Sequence, residues 1–135
     1  MSELEAGIVG RDPEALTTFY ERVFGFVLHD RLEFESMGVV LKFRRGAVRM
    51  KMFFPAPPAH DFVVTEPWYA CSGWRYAALY TDTEEELRGI VDAVGAHGGD
   101  VVLAPSSHRA DAVVAVVTDP EGNVWELLWE AGDAS

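Results

Sequence analysis

The sequence contains a single cysteine, Cys71, and no apolar segment long enough to cross a bilayer. One thiol excludes an intramolecular disulfide and a thiolate metal cluster. The N-terminal residues 1–5 are acidic, unlike a secretory signal. We therefore expect a cytoplasmic protein.

Basic residues are also few, since 11 Lys and Arg stand against 22 Asp and Glu and the net charge is −11. Nucleic acids and anionic membranes are bound through Lys and Arg, so this charge argues against both as partners. It favours a cationic ligand only weakly, because an acidic surface that keeps the protein soluble explains it more simply.

Hydrophobic residues make up 49% of the 135 residues, enough for one domain with a substantial core. Asp12-Pro13 predicts the start of a helix, because Asp caps and Pro fits the first turn. Gly25 predicts its end. An apolar stripe at helical spacing lies between them and consists of Leu16, Phe19, Tyr20 and Val23.

A short strand precedes this helix, from about Leu4 to Val9, and three strands follow it, at about 26–30, 37–43 and 47–54. A connection without periodicity then runs over about 57–72 and carries Trp68. Long connections with aromatic residues are often lids. A linker that places its aromatic side chains in the core is an equally good interpretation.

The same pattern then repeats, with a strand at about 74–81 and a helix capped by Thr83 with Glu86 three residues later. Three further strands are predicted at 101–103, at 112–117 and from Val124 onwards. Asp12 and Asp82 take the same place in the two halves.

The pattern predicts an α+β fold in which two βαβββ modules form a cupped mixed sheet with helices on the outer face. We expect one domain over 1–135. Module one covers about 1–56, the connection 57–72 and module two about 73–132.

The most distinctive segment runs from Asp119 through Pro120-Glu121-Gly122-Asn123 to Val124-Trp125-Glu126-Leu127. It is typical of a tight turn that leads directly into a strand. Glu126 then lies among apolar neighbours, where an ionised carboxylate needs a cation, hydrogen-bond donors or water.

These motifs resemble the vicinal oxygen chelate superfamily, which includes glyoxalase I, bleomycin-resistance proteins, fosfomycin-resistance proteins and extradiol dioxygenases. The signals are Asp12-Pro13-Glu14 with Phe19-Tyr20 and Phe24-Gly25-Phe26, the restart at Asp82, and the segment from Asp119 to Leu127. The resemblance implies paired modules, a cupped sheet and a homodimer. It does not imply one reaction, because the superfamily includes isomerases, transferases, dioxygenases and binding proteins.

In metal-dependent members of this family, a divalent ion is held by residues of the first and last strands of each module. The resemblance places these positions at Glu126, at Glu5, and at Arg75, where a histidine is usual. The remaining position falls in 48–52. Counting from Gly46 gives Met50, and a shift of one residue gives Arg49 or Lys51.

Guanidinium keeps its proton and repels a metal ion, so two donors remain, Glu5 and Glu126. We therefore predict that Arg75 bridges Glu126, and Glu5 if it lies within reach, and that no catalytic metal is bound. The alternative is one divalent ion, bound at Glu5 and Glu126 or recruited by Glu126 with histidines, of which His60 and His108 could reach the rim of the cup.

The favoured function is a small-molecule-binding protein of the glyoxalase/bleomycin-resistance type that holds an aromatic or cationic organic ligand in the cup. One alternative is an enzyme, either a lyase or isomerase that uses Glu126 as base or a metal-dependent, dioxygenase-like protein. A second is an interaction module whose cup is filled by side chains. The predicted ligand-binding residues are Glu5, Met50, Met52, Trp68, Trp74, Arg75 and Glu126.

Overall fold

The computed structural model describes residues 2–107 and 109–132. These residues divide into two compact units, one that ends at Phe62 and one that begins at Val63. In the described residues, each unit contains one α-helix and a four-stranded mixed sheet, which confirms the predicted pair of βαβββ modules. No helix within the described ranges is long and apolar enough to span a membrane.

The first unit folds in the order strand, helix and three strands. Its elements are β1 (Glu5–Val9), α1 (Pro13–Arg22), β2 (Val27–Phe34), β3 (Gly38–Arg45) and β4 (Val48–Pro55). The sheet order is β1-β4-β3-β2, in which β1 runs parallel to β4 and the other neighbours are antiparallel.

The second unit repeats this order and topology. Its elements are β5 (Tyr76–Tyr80), α2 (Glu84–Val94), a short 3-10 turn (Gly95–His97), β6 (Asp100–Ser106), β7 (Ala112–Thr118) and β8 (Val124–Glu130). The sheet order is β5-β8-β7-β6, with β5 parallel to β8. The parallel pair thus joins the first and last strands of each unit.

Helix α1 begins where its capping residues predict. The Asp12 carboxylate accepts a hydrogen bond from the Ala15 backbone N–H at 3.0 Å, and Pro13 occupies the first turn. The helix ends at Arg22, and Gly25 follows with φ of +74°. The predicted apolar stripe is buried, and it packs on one side of the first sheet.

Helix α2 is capped by Thr83, whose hydroxyl accepts a hydrogen bond from the Glu86 backbone N–H at 3.1 Å. The residue of the second unit that corresponds to the Asp12 cap is therefore Thr83. The predicted equivalence of Asp12 and Asp82 is wrong by one residue. This difference decides which side chains are equivalent in the two units.

Candidate ligand-binding faces

The turn before β8 is built around the buried carboxylate of Asp119. Its Oδ1 accepts from the backbone N–H groups of Glu121 and Asn123 at 2.9 and 3.0 Å, and its Oδ2 accepts from the Asn123 amide at 2.8 Å. Gly122 has φ of +91°, a conformation that glycine adopts without strain. The motif is thus a rigid turn that fixes where β8 begins.

The pairing of β8 shows which side chains lie on each of the two faces of the second sheet. Trp129 lines a shallow depression together with Thr83 and Glu84 at the start of α2, so its side of β8 is the helix side. Glu126 has the opposite parity and lies on the other side, which we call the Glu126 face. This face carries Tyr76, Ala78 and Tyr80 of β5 and Val124, Glu126 and Leu128 of β8.

The Glu126 side chain is half-buried between two small or apolar neighbours. It lies opposite Ala78 on β5 and opposite Val116 on β7. No hydrogen bond or ion pair to its carboxylate is recorded among residues 2–107 and 109–132. An ionised group in this position is therefore available to a ligand that donates hydrogen bonds or carries positive charge.

Aromatic side chains lie beside Glu126 on the same face. Tyr76 is two positions from Ala78, which corresponds to about 7 Å along an extended strand. The Trp68 ring packs edge-on against Tyr76, with 5.0 Å between ring centroids. The connection thus brings Trp68 to this face, whereas Trp74 is fully exposed.

Glu126 makes no ion pair with Arg75 in the described part of the chain, although the sequence predicts one. Arg75 precedes β5, and Glu126 lies opposite Ala78, three positions further along. The same count that leads back from the Asp12 cap to Glu5 leads from the Thr83 cap to Tyr76. Tyr76, and not Arg75, therefore takes the place that Glu5 takes in the first unit.

Glu5 is bordered by cations on the first sheet. It lies opposite Arg49 on β4, and its Oε1 is 3.6 Å from the Nζ atom of Lys51. Arg49 in turn donates to Glu3 at 2.7 Å. We call this side of the sheet the Glu5 face, and its central positions on β1 and β4 are Glu5, Gly7, Arg49 and Lys51.

Met50 and Met52 lie on the other side of β4. Both are fully buried, and they share their side with Phe54. A Cβ atom added at Gly10 would lie 2.6 Å from the Leu16 side chain and 2.7 Å from that of Phe54, so this side packs against α1. Met50 and Met52 are thus core residues of the first unit, and they are not on the face that carries Glu5.

The positions in the two units can now be matched by their pairing. Gly7 lies opposite Lys51, and Ala78 lies opposite Glu126. The step along the sequence from Gly7 to Ala78 is the same as that from the Asp12 cap to the Thr83 cap. Lys51 is consequently the counterpart of Glu126. Counting from Gly46 favours Met50 and leaves Lys51 as one of two alternatives, so sequence reasoning did not settle this position.

Neither unit, taken by itself, offers a set of donors at the matched positions that fits a divalent metal ion. In the first unit, Glu5 has the Lys51 ammonium group as its neighbour. In the second unit, the position that matches Glu5 is Tyr76, and a phenol is not among the usual ligands of such an ion. Within the described ranges, no group of three or more His, Cys, Asp or Glu side chains is arranged to hold a metal. Of the two candidate histidines, His60 is exposed and His108 lies outside the described residues.

The comparison with protein families decides the relationship. The model of the Glyoxalase/Bleomycin resistance protein/Dioxygenase superfamily matches residues 4–127. The chain belongs to this superfamily. The match extends over both units of the chain. It therefore confirms the resemblance that the sequence motifs indicate. None of the curated proteins compared with it matches.

Solved structures show the same fold at low sequence identity. A glyoxalase family protein from Bacillus cereus has a TM-score of 0.73 and 18% identity over 95% of this chain and 93% of its own. The fosfomycin resistance protein FosX from Mesorhizobium loti has a TM-score of 0.68 and 18% identity, over 98% and 93%. Glyoxalase I from Zea mays has a TM-score of 0.76 and 16% identity, over 96% of this chain and 44% of that one.

Proposed function

We propose that this superfamily member binds a small organic molecule at the Glu126 face of its second unit. The observation that carries the proposal is the half-buried Glu126 carboxylate, for which the described residues supply no hydrogen-bond donor or cation. Removing such a group from water without a partner is unfavourable, so a ligand that supplies the partner gains affinity.

The surrounding side chains favour a flat ligand. Trp68 and Tyr76 form an edge-on pair, and Tyr80 on the same strand is 60% exposed. Aromatic rings stack on planar molecules and attract cations through their faces. The ligand class that fits best is therefore a planar aromatic molecule that carries a hydrogen-bond donor or a positive charge. Sequestration of an antibiotic or metabolite is one form of this function.

The proposal is tested with proflavine, a planar aromatic cation, titrated into the purified full chain while tryptophan fluorescence is followed. We expect Glu126→Gln to weaken binding about tenfold, because one charge-assisted hydrogen bond is lost. Glu85→Gln removes the same charge from an exposed position of α2 and serves as the control. Equal affinity in the wild type and in Glu126→Gln would overturn the proposal.

Metal analysis separates this function from the enzymatic alternative. We propose that no divalent ion is needed, since the donor set includes Lys51 and an ammonium-bound Glu5. A lyase or isomerase that used Glu126 as base, without metal, would turn over a substrate and lose activity in Glu126→Gln. Stoichiometric nickel, zinc, iron or manganese in protein purified without chelator, lost in Glu126→Ala, would instead favour metal chemistry.

We also propose, from the family, that the protein is a cytoplasmic homodimer. Sedimentation velocity of the purified chain tests the oligomeric state, and a monomer at micromolar concentration would refute it.

A further inference from the structure

The Glu5 face of the first unit concentrates positive charge in a chain whose net charge is −11. Two pairs of like charges lie directly opposite each other across β3 and β4: Lys42 faces Lys51, and Arg44 faces Arg49. Like charges in this arrangement destabilise a sheet. The arrangement therefore needs an explanation other than the stability of the fold.

The carboxylates of the first unit offset only one side of this cluster. Glu5 lies 3.6 Å from Lys51, and Glu3 lies 2.7 Å from Arg49. Both acids approach from the β1 side of the sheet, and Glu3 is largely exposed. The exposed Glu3 carboxylate contributes little to its ion pair, and the Lys51 side chain is 51% exposed, so Arg49 and Lys51 remain accessible to a further anion.

The two cations of β3, Lys42 and Arg44, have fewer acidic partners than those of β4. Lys42 lies opposite Asp30 on β2, but the Asp30 Oδ1 atom accepts a hydrogen bond from the Arg31 backbone N–H at 2.9 Å. Within the described ranges, no ion pair is recorded for Lys42 or for Arg44. A half-buried ammonium and an exposed guanidinium thus lie side by side with donors to spare.

An apolar row follows the cations on the same face. Leu32 pairs with Val40, Val40 with Phe53, and Phe53 with Val9, so the row crosses all four strands. It lies two positions beyond Lys42 and Lys51, or about 7 Å along the strands. Val9 is 59% exposed. The face is therefore amphiphilic. A basic band, formed by Lys42, Arg44, Arg49 and Lys51, lies beside this apolar row.

Gly7 leaves room beside the basic band. It lies directly opposite Lys51, and a Cβ atom added there would meet nothing within 4 Å. The space above Gly7 borders the basic band on one side and, through Val9, the apolar row on the other. A ligand that spans both bands can thus occupy the position that a larger side chain would fill.

We propose that the Glu5 face binds a small organic anion, in which a carboxylate, sulfonate or phosphate lies among the cations and an apolar body covers the row that contains Phe53. Nucleic acid is the weaker candidate, because the remaining charge of the chain repels a polyanion. The inference goes beyond the proposed function, since it concerns residues of the first unit alone. The four cations are Lys42, Arg44, Arg49 and Lys51.

The test compares two probes that differ in one group. Anilinonaphthalene sulfonate is an amphiphilic anion, and phenylnaphthylamine has the same ring system without the sulfonate. Both become fluorescent in an apolar site. We expect the purified full chain to bind the sulfonate at least about tenfold more tightly, and this preference to fall when salt rises from about 50 to about 500 mM.

Two variants locate the site. Lys42→Gln with Arg44→Gln removes the unmatched charges and is expected to weaken sulfonate binding about tenfold, while phenylnaphthylamine binding stays unchanged. Gly7→Val fills the space beside Lys51 without changing charge, and is expected to weaken both probes. Arg22→Gln on α1 removes one charge from outside the Glu5 face and serves as the control.

Each remaining outcome counts against the proposal. Equal binding of the two probes, or sulfonate binding that survives both variants, would overturn it and leave the Glu126 proposal intact. Failure of the wild type to bind either probe would also overturn it, and proflavine binding would then report on the Glu126 face separately. A change of sedimentation coefficient in the double variant would show that the face joins two copies of the chain instead.

Discussion

Lys51 holds in the first unit the place that Glu126 holds in the second. Each belongs to the third pair of residues between the first and last strands of its unit, and each lies opposite a small residue, Gly7 or Ala78. The repeat has thus kept its geometry while the charge at this position has the opposite sign. Two faces of the same architecture are therefore suited to ligand groups of opposite charge.

The first prediction concerns the half-buried side chain of Glu126. Because the described residues give its carboxylate no partner, Glu126→Gln is expected to raise the free energy of unfolding by about 0.5–1 kcal/mol. Urea denaturation of the ligand-free protein measures the change. Glu85→Gln, at an exposed position, is expected to change stability by less than about 0.5 kcal/mol. A loss of stability in Glu126→Gln would mean that the carboxylate has a structural role.

The second prediction concerns the cap of α2 and with it the alignment of the two units. Thr83→Ala removes the acceptor of the Glu86 N–H bond and is expected to lower the free energy of unfolding by about 1 kcal/mol. Thr83→Ser keeps the hydroxyl and should retain most of the stability. Asp82→Ala should have little effect, because the side chain of Asp82 does not cap the helix.

Thermal and urea unfolding of Thr83→Ala, Thr83→Ser and Asp82→Ala measure these changes in stability. A larger loss in Asp82→Ala than in Thr83→Ala would restore the equivalence of Asp12 with Asp82, and with it the alignment of Arg75 with Glu5.

The helices and the module order were predictable because their signals are local. A cap such as Asp12 or Thr83 acts on backbone groups three residues away, and an apolar stripe repeats within one helix. The turn at Asp119 is local in the same sense, and Gly122 within it has a positive φ. These signals were sufficient to indicate the family.

The faces of the strands were not predictable in the same way. A shift of one residue in pairing moves every side chain to the other face of the sheet. Counting from Gly46 as from Gly122 gives Met50, but the two turns differ, since Arg45 pairs with Val48 whereas Thr118 pairs with Val124 across 119–123. Met50 consequently lies in the core.

The positive charge of the Glu5 face could not be predicted from the sequence either, for a different reason. The net charge of −11 sums over the whole chain, whereas cross-strand pairing brings Lys42 of β3 directly opposite Lys51 of β4. Only the register shows that they are neighbours. An overall acidic composition therefore did not predict the local sign of the field.

The third prediction concerns the turn that positions β8. Asp119 is 2% exposed and accepts hydrogen bonds from Glu121 and Asn123, so Asp119→Ala is expected to lower the free energy of unfolding by about 2–3 kcal/mol. Asn123→Ala removes one of these bonds and should cost about 1 kcal/mol. In the double variant the losses should be less than additive, because the two residues share a bond. Additive losses in urea denaturation would contradict the pairing.

The fourth prediction contrasts two glycines that differ in their surroundings. Gly38 has φ of +132°, and a Cβ atom there would overlap the Phe54 backbone oxygen, so Gly38→Ala is expected to lose at least about 2 kcal/mol of stability. Gly89 lies exposed inside α2, where a Cβ atom meets nothing within 4 Å. Gly89→Ala is therefore expected to gain about 0.5–1 kcal/mol, since alanine favours the helix.

The two substitutions add the same methyl group, so their difference isolates the backbone at Gly38. Because the Phe54 oxygen belongs to β4, the overlap cannot be relieved by a change of rotamer, and the strands β3 and β4 must separate or Gly38 must change its φ. Urea denaturation followed by tryptophan fluorescence measures both variants. Equal effects of the two substitutions would mean that β3 does not approach β4 as closely at Gly38 as the pairing requires.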